Sequence, residues 1–239
     1  MGQLWLVRHG QASFLEENYD KLSAKGEAQA RLLGEYWASH RLAFDHVFSG
    51  PRVRQQDTAR IAGEAFRSAG VPWPAPEVLS EFDEFQAEAV IAQSLPGLIE
   101  TDPLIRAMYR DFEKAEDQAA RFKTFQRLFE VVIGRWAGGE LPLEGIEPWP
   151  EFCERVHRGL RLLSQNGTRG RRVVVFTSGG PTGVAMQRAL GLTTEATLRT
   201  AWMVPNCAYS VFLFSGDRFT LSSYNSYSHF TGRDFVTYR

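Results

Sequence analysis

The tripeptide Arg8-His9-Gly10 sets a nucleophilic imidazole, a fixed cation and a small residue side by side. That combination suits phosphoryl transfer through histidine. Such a reaction needs an imidazole in line with phosphorus, cationic donors on the non-bridging oxygens and an acid for the leaving oxygen. Arginine is the favoured cation, because its planar fork matches phosphate geometry and keeps its charge. A small neighbour lets backbone N–H groups approach the anion. A lone histidine is more often structural, so the placement of this one matters.

The elements around it give that placement. Leu4 to Val7 is a short apolar run, read as a buried strand. The tripeptide therefore lies at a strand's C-terminal end, where open α/β sheets bind ligands. Ser23 reads as the N-cap of a helix running to about His40, with Gly26 and Glu27 in its first turns. Asp45 to Phe48 reads as a second strand, and Arg52 to about Ser68 as a helix bounded by Pro51 and Gly70. From about Gln86 to Pro148 the chain turns rich in Ala, Glu, Arg and Phe, with helical spacing at Phe122, Phe125, Phe129 and Val132-Ile133. It breaks at Gly138-Gly139 and closes with a loop from Pro142 to Pro148. This stretch reads as a helical insertion, a cap over the active edge of the core. Its aromatic stripe serves as core or as a greasy mouth for an organic phosphate. Left exposed, it is a candidate interface.

Pro150 to about Gln165 reads as the next helix. Val173-Val174-Val175-Phe176, inside Arg172–Thr177, is the uninterrupted apolar run of a fully buried parallel strand. Ser178-Gly179-Gly180-Pro181 leads from it into a helix ending at Leu190. Tyr209–Phe214 and Arg218–Tyr224 flank Ser215-Gly216-Asp217 as a hairpin. Strands alternating with helices predict a layered α/β/α fold with a mostly parallel central sheet, one domain over residues 1–239 with the helical insertion at about 86–148.

Composition narrows the ligand. The chain of 239 residues carries a formal net charge of −1, so an anion has to be held by a local cluster of arginines and not by a global basic field. No nucleic-acid partner is implied. The two cysteines, Cys153 and Cys207, are far apart and lack metal-ligand spacing, which points to buried thiols in a reducing compartment. No Asp cluster suggests a divalent metal, and no cofactor motif is present: Gly179-Gly180-Pro181-Thr182-Gly183 is neither a P-loop nor a dinucleotide fingerprint. The apolar start is too short for a signal peptide or a membrane span, and Leu6 stands where myristoylation wants Ser or Thr. A cytoplasmic protein with no membrane partner is expected.

Several segments, taken in order, resemble one family. Leu6-Val7-Arg8-His9-Gly10-Gln11 is similar to the opening signature of the histidine phosphatase (phosphoglycerate mutase-like) superfamily. Leu22-Ser23-Ala24-Lys25-Gly26-Glu27-Ala28-Gln29-Ala30 resembles its first-helix pattern, Leu-Thr-x-x-Gly-x-x-Gln-Ala. Ser49-Gly50-Pro51-Arg52-Val53-Arg54-Gln55-Gln56-Asp57-Thr58-Ala59 resembles its Ser-x-x-x-Arg-x-x-x-Thr-Ala segment. The spacing to Thr58-Ala59 makes Arg54 the phosphate arginine, while Ser49 falls one place early and keeps Arg52 in contention. Leu79-Ser80-Glu81 resembles the segment that delivers the proton-donating Glu; Phe85 stands where the family has Gly, so Asp83 and Glu84 compete with Glu81 as the acid. Asn206, Asn225 and His229-Phe230 match the closing pattern. The similarity covers about residues 4–85 and 150–230, not the insertion.

The resemblance implies a phosphomonoester hydrolase. His9 attacks phosphorus, Arg8 and Arg54 hold the phosphoryl oxygens with Ser178 and Gly179, and Glu81 protonates the leaving alcohol. Its partner would be a small organic phosphate, a phosphoprotein or inorganic phosphate. Val174-Val175-Phe176-Thr177-Ser178-Gly179-Gly180 departs from the pattern, with Ser178 where the family carries its second histidine. A serine gives one neutral hydrogen bond worth about 1 kcal/mol against roughly 1.5–3 for a charged one. The expected result is an enzyme slowed roughly 5- to 30-fold. Two other readings follow: a phosphoryl-binding module without turnover, and a phosphoglycerate mutase. The mutase ranks low because Leu79-Ser80-Glu81-Phe82 stands in place of Leu-Asn-Glu-Arg. His229 reads as structural, and His40, His46 and His157 as surface or packing residues.

Overall fold

The computed structural model describes residues 1–13, 20–165 and 170–238. The chain divides into two compact units, Met1–Glu84 with Glu154–Arg239, and Phe85–Cys153.

The larger unit is built on one mixed sheet of six strands among the described residues. In chain order they are β1 (Gly2–Arg8), β2 (His46–Ser49), β3 (Glu77–Val78), β4 (Arg172–Thr177), β5 (Tyr209–Ser215) and β6 (Arg218–Ser226). The spatial order is β3-β2-β4-β1-β5-β6. Strands β3, β2, β4 and β1 run parallel; β5 and β6 complete the sheet as an antiparallel hairpin. The pure apolar runs of β1 and β4 are explained by this order. Both strands sit in the middle with both faces covered, so neither alternates polar and apolar residues.

The helices are α1 (Ala24–Ser39), α2 (Val53–Ser68), α3 (Ala87–Thr101), α4 (Pro103–Glu113), α5 (Gln118–Ala137), α6 (Trp149–Gln165), α7 (Gly179–Leu190) and α8 (Thr194–Trp202). Ser23 caps α1 by accepting a hydrogen bond from Gly26 N at 3.1 Å, the expected role for a serine ahead of a helical run. Strand β3 and helix α8 are the elements the sequence reading lacked. The first is a two-residue edge strand. The second is threonine-rich, and β-branched residues lower helix propensity. Its start is nonetheless marked, since the Thr193 hydroxyl accepts from Ala196 N at 3.3 Å.

Aromatic side chains dominate the core under this sheet. Trp5, Trp37, Phe44, Phe66, Trp73, Phe176 and Tyr209 form one buried cluster. Edge-on contacts recur, as between Trp5 and Trp37 at 5.6 Å, the arrangement that ring quadrupoles favour. The smaller unit holds its own core. Phe85, Trp136, Trp149 and Phe152 pack ring on ring, with Phe85 and Trp136 stacked at 5.3 Å. Asp102 fixes the α3–α4 corner: its carboxylate accepts from Leu104 N at 2.7 Å and pairs with Arg135 at 2.5 Å. Phe112, Phe125 and Phe129 continue the aromatic stripe between α4 and α5. No helix of the described residues is long and apolar enough to cross a membrane.

One buried histidine belongs to the packing. His229 is only 4% exposed and sits 4.1 Å from the Phe230 ring. Neither of its ring nitrogens has a hydrogen-bond partner among the described residues. Burial alone pushes its pKa from the ordinary value of 6.5 down to about 3. In the folded state it stays neutral where the unfolded chain takes up a proton. Stability is therefore full above pH 6.5 and falls as pH drops toward 3, by about 2 kcal/mol at pH 5 from this residue. The variant His229→Phe is expected to flatten the fall in unfolding free energy between pH 7 and 5, read by urea denaturation. An unchanged slope would refute the assignment.

Candidate active site

The C-terminal ends of the central strands converge on one point. Arg8, last in β1, pairs with Thr177, last in β4. His9 follows, and its N–H donates to the Thr177 carbonyl at 2.8 Å. Ser178 follows Thr177 as the N-cap of α7. Beside them β2 ends at Ser49, and Gly50 N donates to Phe176 O at 2.9 Å before the chain enters α2. Helices α2 and α7 thus both point their N-termini at the place where His9 leaves the sheet. Helix N-termini carry free N–H groups and partial positive charge, which favours an anion there.

Hydrogen bonds fix the His9 ring in one tautomer. Its Nδ1 lies 2.7 Å from the Gly10 carbonyl oxygen, which can only accept, so Nδ1 carries the proton. Its Nε2 accepts from Arg54 Nε at 3.1 Å and therefore presents the lone pair. His9 is 5% exposed, and burial is the largest cause that lowers its pKa well below 6.5, followed by the charges of Arg54 and Arg8. The imidazole is neutral and nucleophilic at neutral pH. Protonation removes the lone pair only at pH values below the ordinary histidine range.

The backbone of this loop is braced from three sides. Gly10 N donates to the Thr58 hydroxyl at 3.0 Å, and that hydroxyl donates to Arg54 O at 2.6 Å. Gln11 N donates to the Gln29 side chain at 2.8 Å. The His9 carbonyl receives Asn206 Nδ2 at 3.1 Å and Cys207 N at 3.3 Å. Glycine is required where the loop meets α1. A Cβ on Gly26 would lie 2.1 Å from the Gln11 carbonyl oxygen, and one on Gly10 would lie 2.5 Å from the Gly26 carbonyl oxygen.

Charge is distributed with equal specificity. Arg54 is 5% exposed, and its Nη1 pairs with Asp20 at 2.8 Å. The other oxygen of Asp20 accepts from Val53 N at 2.9 Å, at the start of α2. Asp20 thereby ties Arg54 to the helix end that presents it. Arg8 donates through Nη1 to the Val204 carbonyl. Arg52 lies apart, its Nε on Asp83 at 2.6 Å. The same Asp83 oxygen accepts from Glu84 N at 2.8 Å. Glu84 itself reaches the α7 N-terminus, where its carboxylate accepts from Gly180 N at 3.1 Å. Ser178 is 1% exposed, and its hydroxyl oxygen accepts from Gln55 Nε2 at 2.8 Å. Gly179 N makes no hydrogen bond among the described residues.

The family model of the histidine phosphatase superfamily (branch 1) matches residues 4–125 and 87–227. The chain belongs to the histidine phosphatase superfamily. A search of curated proteins found no match. Among solved structures, the α-ribazole phosphatase of Shigella flexneri is 20% identical with a TM-score of 0.59, covering 94% of this chain and 96% of that one. The phosphoglycerate mutase of Bacillus anthracis is 15% identical with a TM-score of 0.62, covering 95% and 94%. A mycobacterial glucosyl-3-phosphoglycerate phosphatase with bound inorganic phosphate is 18% identical with a TM-score of 0.61, covering 97% and 100%. The layered, mostly parallel architecture is thus the phosphoglycerate mutase-like fold of this superfamily.

Within that superfamily fold, the structure brings Arg8, His9, Arg54, Ser178 and Gly179 to one place. It separates the two arginines that spacing left open, Arg54 going to His9 and Arg52 to Asp83. It also separates the three carboxylates. Glu81, which the sequence reading put first as the acid, makes no hydrogen bond to this set among the described residues. Its one side-chain partner among the described residues is the Ser80 hydroxyl at 3.5 Å, and its Cβ lies against Gly159 of α6. Arg155 holds that turn by donating to the Ser80, Glu81 and Asp83 carbonyls. Asp83 is engaged by Arg52, which leaves Glu84 as the carboxylate at α7. Sequence reasoning missed Asp20 and Gln55. Asp20 had a signal, an acid just ahead of the Leu22-Ser23 cap and so within reach of the loop. Gln55 had none, being one of two adjacent glutamines on a helix. No group of three or more His, Cys, Asp or Glu side chains among the described residues is arranged to hold a metal.

The glycine contact supplies a test. Gly26→Ala is expected to push the Gln11 backbone away from α1, costing about 1–3 kcal/mol and weakening inorganic phosphate binding together with thermal stability. A variant with the parent's melting temperature and phosphate affinity would show that the loop does not depend on this contact.

Proposed function

We propose that the protein is a phosphomonoester hydrolase acting through a phosphohistidine intermediate on a small organic phosphate. The observation that carries this is the His9 ring, locked by Gly10 O on one nitrogen and facing Arg54 with the lone pair of the other. In the first step Nε2 attacks phosphorus, the P–O ester bond breaks and the leaving oxygen takes a proton. In the second, water attacks the phosphohistidine, gives up a proton and releases inorganic phosphate with the imidazole restored. Arg8 and Arg54 hold the non-bridging oxygens, helped by the Ser178 hydroxyl and Gly179 N. These groups supply the charge and donors the transferring phosphoryl group needs, so the reading includes no metal.

Glu84 is the proposed acid and base, in place of Glu81. It is the one of the three carboxylates seated at the α7 N-terminus, beside the phosphate-binding groups. The reading keeps Ser178 as the residue standing where the superfamily's second histidine is expected, with a correspondingly slower reaction. The helical segment at about 86–148 is proposed to select the substrate. Solved relatives named for α-ribazole and glucosyl-3-phosphoglycerate favour a small phosphate ester over a phosphoprotein.

Hydrolysis of p-nitrophenyl phosphate across pH, with an alkaline quench to preserve the acid-labile phosphohistidine, tests this reading. His9→Ala is expected to lose both turnover and the phosphoenzyme. Glu84→Gln is expected to lose roughly 10²- to 10⁴-fold with an alkyl phosphate, and less with p-nitrophenyl phosphate, whose leaving group needs little protonation. Glu81→Gln should stay near the parent. The acid limb of kcat/KM should lie below pH 6.5, because His9 is held neutral there. Activity retained in His9→Ala refutes the mechanism. A parent that binds phosphate esters through Arg8 and Arg54 without hydrolysing them is a phosphoryl-binding module, the reading that a neutral Ser178 favours.

A further inference from the structure

We propose that Gln55 is a positioning residue of the phosphate site, turning the Ser178 hydroxyl into a donor for a phosphoryl oxygen, so that the two residues work as one unit. The proposal rests on the phosphate-site reading above. Gln55 is fully buried in the first turn of α2. Its orientation is fixed by groups with only one role. Arg52 N can only donate, and it meets Oε1 at 3.1 Å. Phe82 O can only accept, and it lies 3.4 Å from Nε2. Nε2 is therefore the atom 2.8 Å from Ser178 Oγ, and it donates.

That bond decides the direction of the serine. A hydroxyl has one proton and two lone pairs. With Gln55 donating to the oxygen, the Ser178 proton is left for another acceptor, and none of the described residues takes it. Ser178 is 1% exposed, so the unmet donor is not met by bulk water either. It stands at the N-terminus of α7, one residue after the Thr177 carbonyl that binds His9 N. An acceptor-rich phosphoryl oxygen there completes both the hydroxyl and the helix end. The backbone is shaped for the glutamine. A Cβ on Gly50 would lie 2.2 Å from Gln55 Oε1 and 2.6 Å from Phe82 O, so only glycine admits the amide.

A second consequence follows from space. A ring at position 178 competes for space with the Gln55 amide, whose Nε2 lies 2.8 Å from Ser178 Oγ in a buried place. Ser178→His alone is then a disruptive change, and it becomes tolerable only when Gln55 is shortened.

The test is a double-mutant cycle on two readouts, the dissociation constant for inorganic phosphate by calorimetry and kcat and KM for p-nitrophenyl phosphate. Gln55→Met keeps the volume and removes the amide; Ser178→Ala removes the hydroxyl. Each single variant is expected to weaken phosphate binding about 10-fold or more, as for one hydrogen bond to a charged group, and the double variant no more than either alone. Ser178→His is expected to turn over more slowly than the parent, and Ser178→His with Gln55→Ala faster than Ser178→His. Multiplying effects in the double variant, or parent-like phosphate affinity in Gln55→Met, would overturn the proposal, since a glutamine that only packs would still matter without the hydroxyl. Phosphate affinity reads the pair even where turnover is absent, so failure of the hydrolase reading is seen separately. A parent that binds no phosphate removes the proposal together with the site.

Discussion

One hydrogen bond, from His9 Nδ1 to the carbonyl of its own neighbour Gly10, governs the rest of the site. A neutral imidazole has one donor nitrogen and one acceptor nitrogen, and this bond assigns them. It therefore settles which nitrogen holds the lone pair and which edge of the ring Arg54 can approach. The bond is short-range in sequence but costly in backbone. The Gly10 carbonyl must be turned back toward the ring, and that turn leaves no space for a side chain where the loop passes Gly26. The packing of two glycines, the Thr58 bridge and the Asn206 contact with His9 O all hold a peptide conformation whose product is a single lone pair.

The electrostatics follow from the same arrangement. Two guanidiniums beside a buried imidazole would repel an imidazolium, and burial disfavours it further. The positive charge beside His9 thus lies on Arg8 and Arg54, with Asp20 offsetting part of it. A phosphate ester bound as proposed would compete with Asp20 for Arg54. It need not displace Arg54 from the protein, because the Nε–His9 contact and the α2 anchor use other atoms of the same side chain. A residue fixed at two points and exchanging a third keeps its geometry while its ligand changes, which is the preorganisation that electrostatic catalysis requires.

The sheet and the loop were legible in the sequence because they obey local rules. Two unbroken apolar runs marked β1 and β4, a capping serine marked α1, and the Arg8-His9-Gly10 order fell at a strand end. Arg54 was legible through its spacing to Thr58, since both lie on one helix and four residues bring them onto one face. What the sequence left open was the choice among Glu81, Asp83 and Glu84. These residues lie in and just beyond a short 3₁₀ turn, Ser80–Phe82, whose orientation is set by Arg155 from α6, more than seventy residues away. No local pattern encodes which carboxylate such a turn delivers. Gln55 was hidden for a similar reason. Its partners Phe82 and Ser178 come from other parts of the chain, and its helical position is shared by residues that do nothing.

A neutral donor at position 178 has a consequence that differs from a plain loss of catalytic power. A cation there would strengthen binding of the substrate, the phosphoenzyme and the released phosphate as well as the transition state. Only the excess in the transition state accelerates the chemical step. In the proposed reaction a hydroxyl in place of that cation would lower all of these affinities together, so part of the cost would fall on KM and product phosphate would leave sooner. Arg8 and Arg54, the latter partly offset by Asp20, would still supply positive charge to the proposed phosphate site. On the proposed reading the hydroxyl contributes direction more than energy: its one proton, left over by the bond from Gln55, would go to one phosphoryl oxygen and fix the rotation of the phosphoryl group about the His9–phosphorus axis. An in-line attack sets the leaving oxygen on that same axis, opposite His9, so the rotation matters for seating the three non-bridging oxygens and leaves the leaving oxygen to the acid, the role proposed for Glu84.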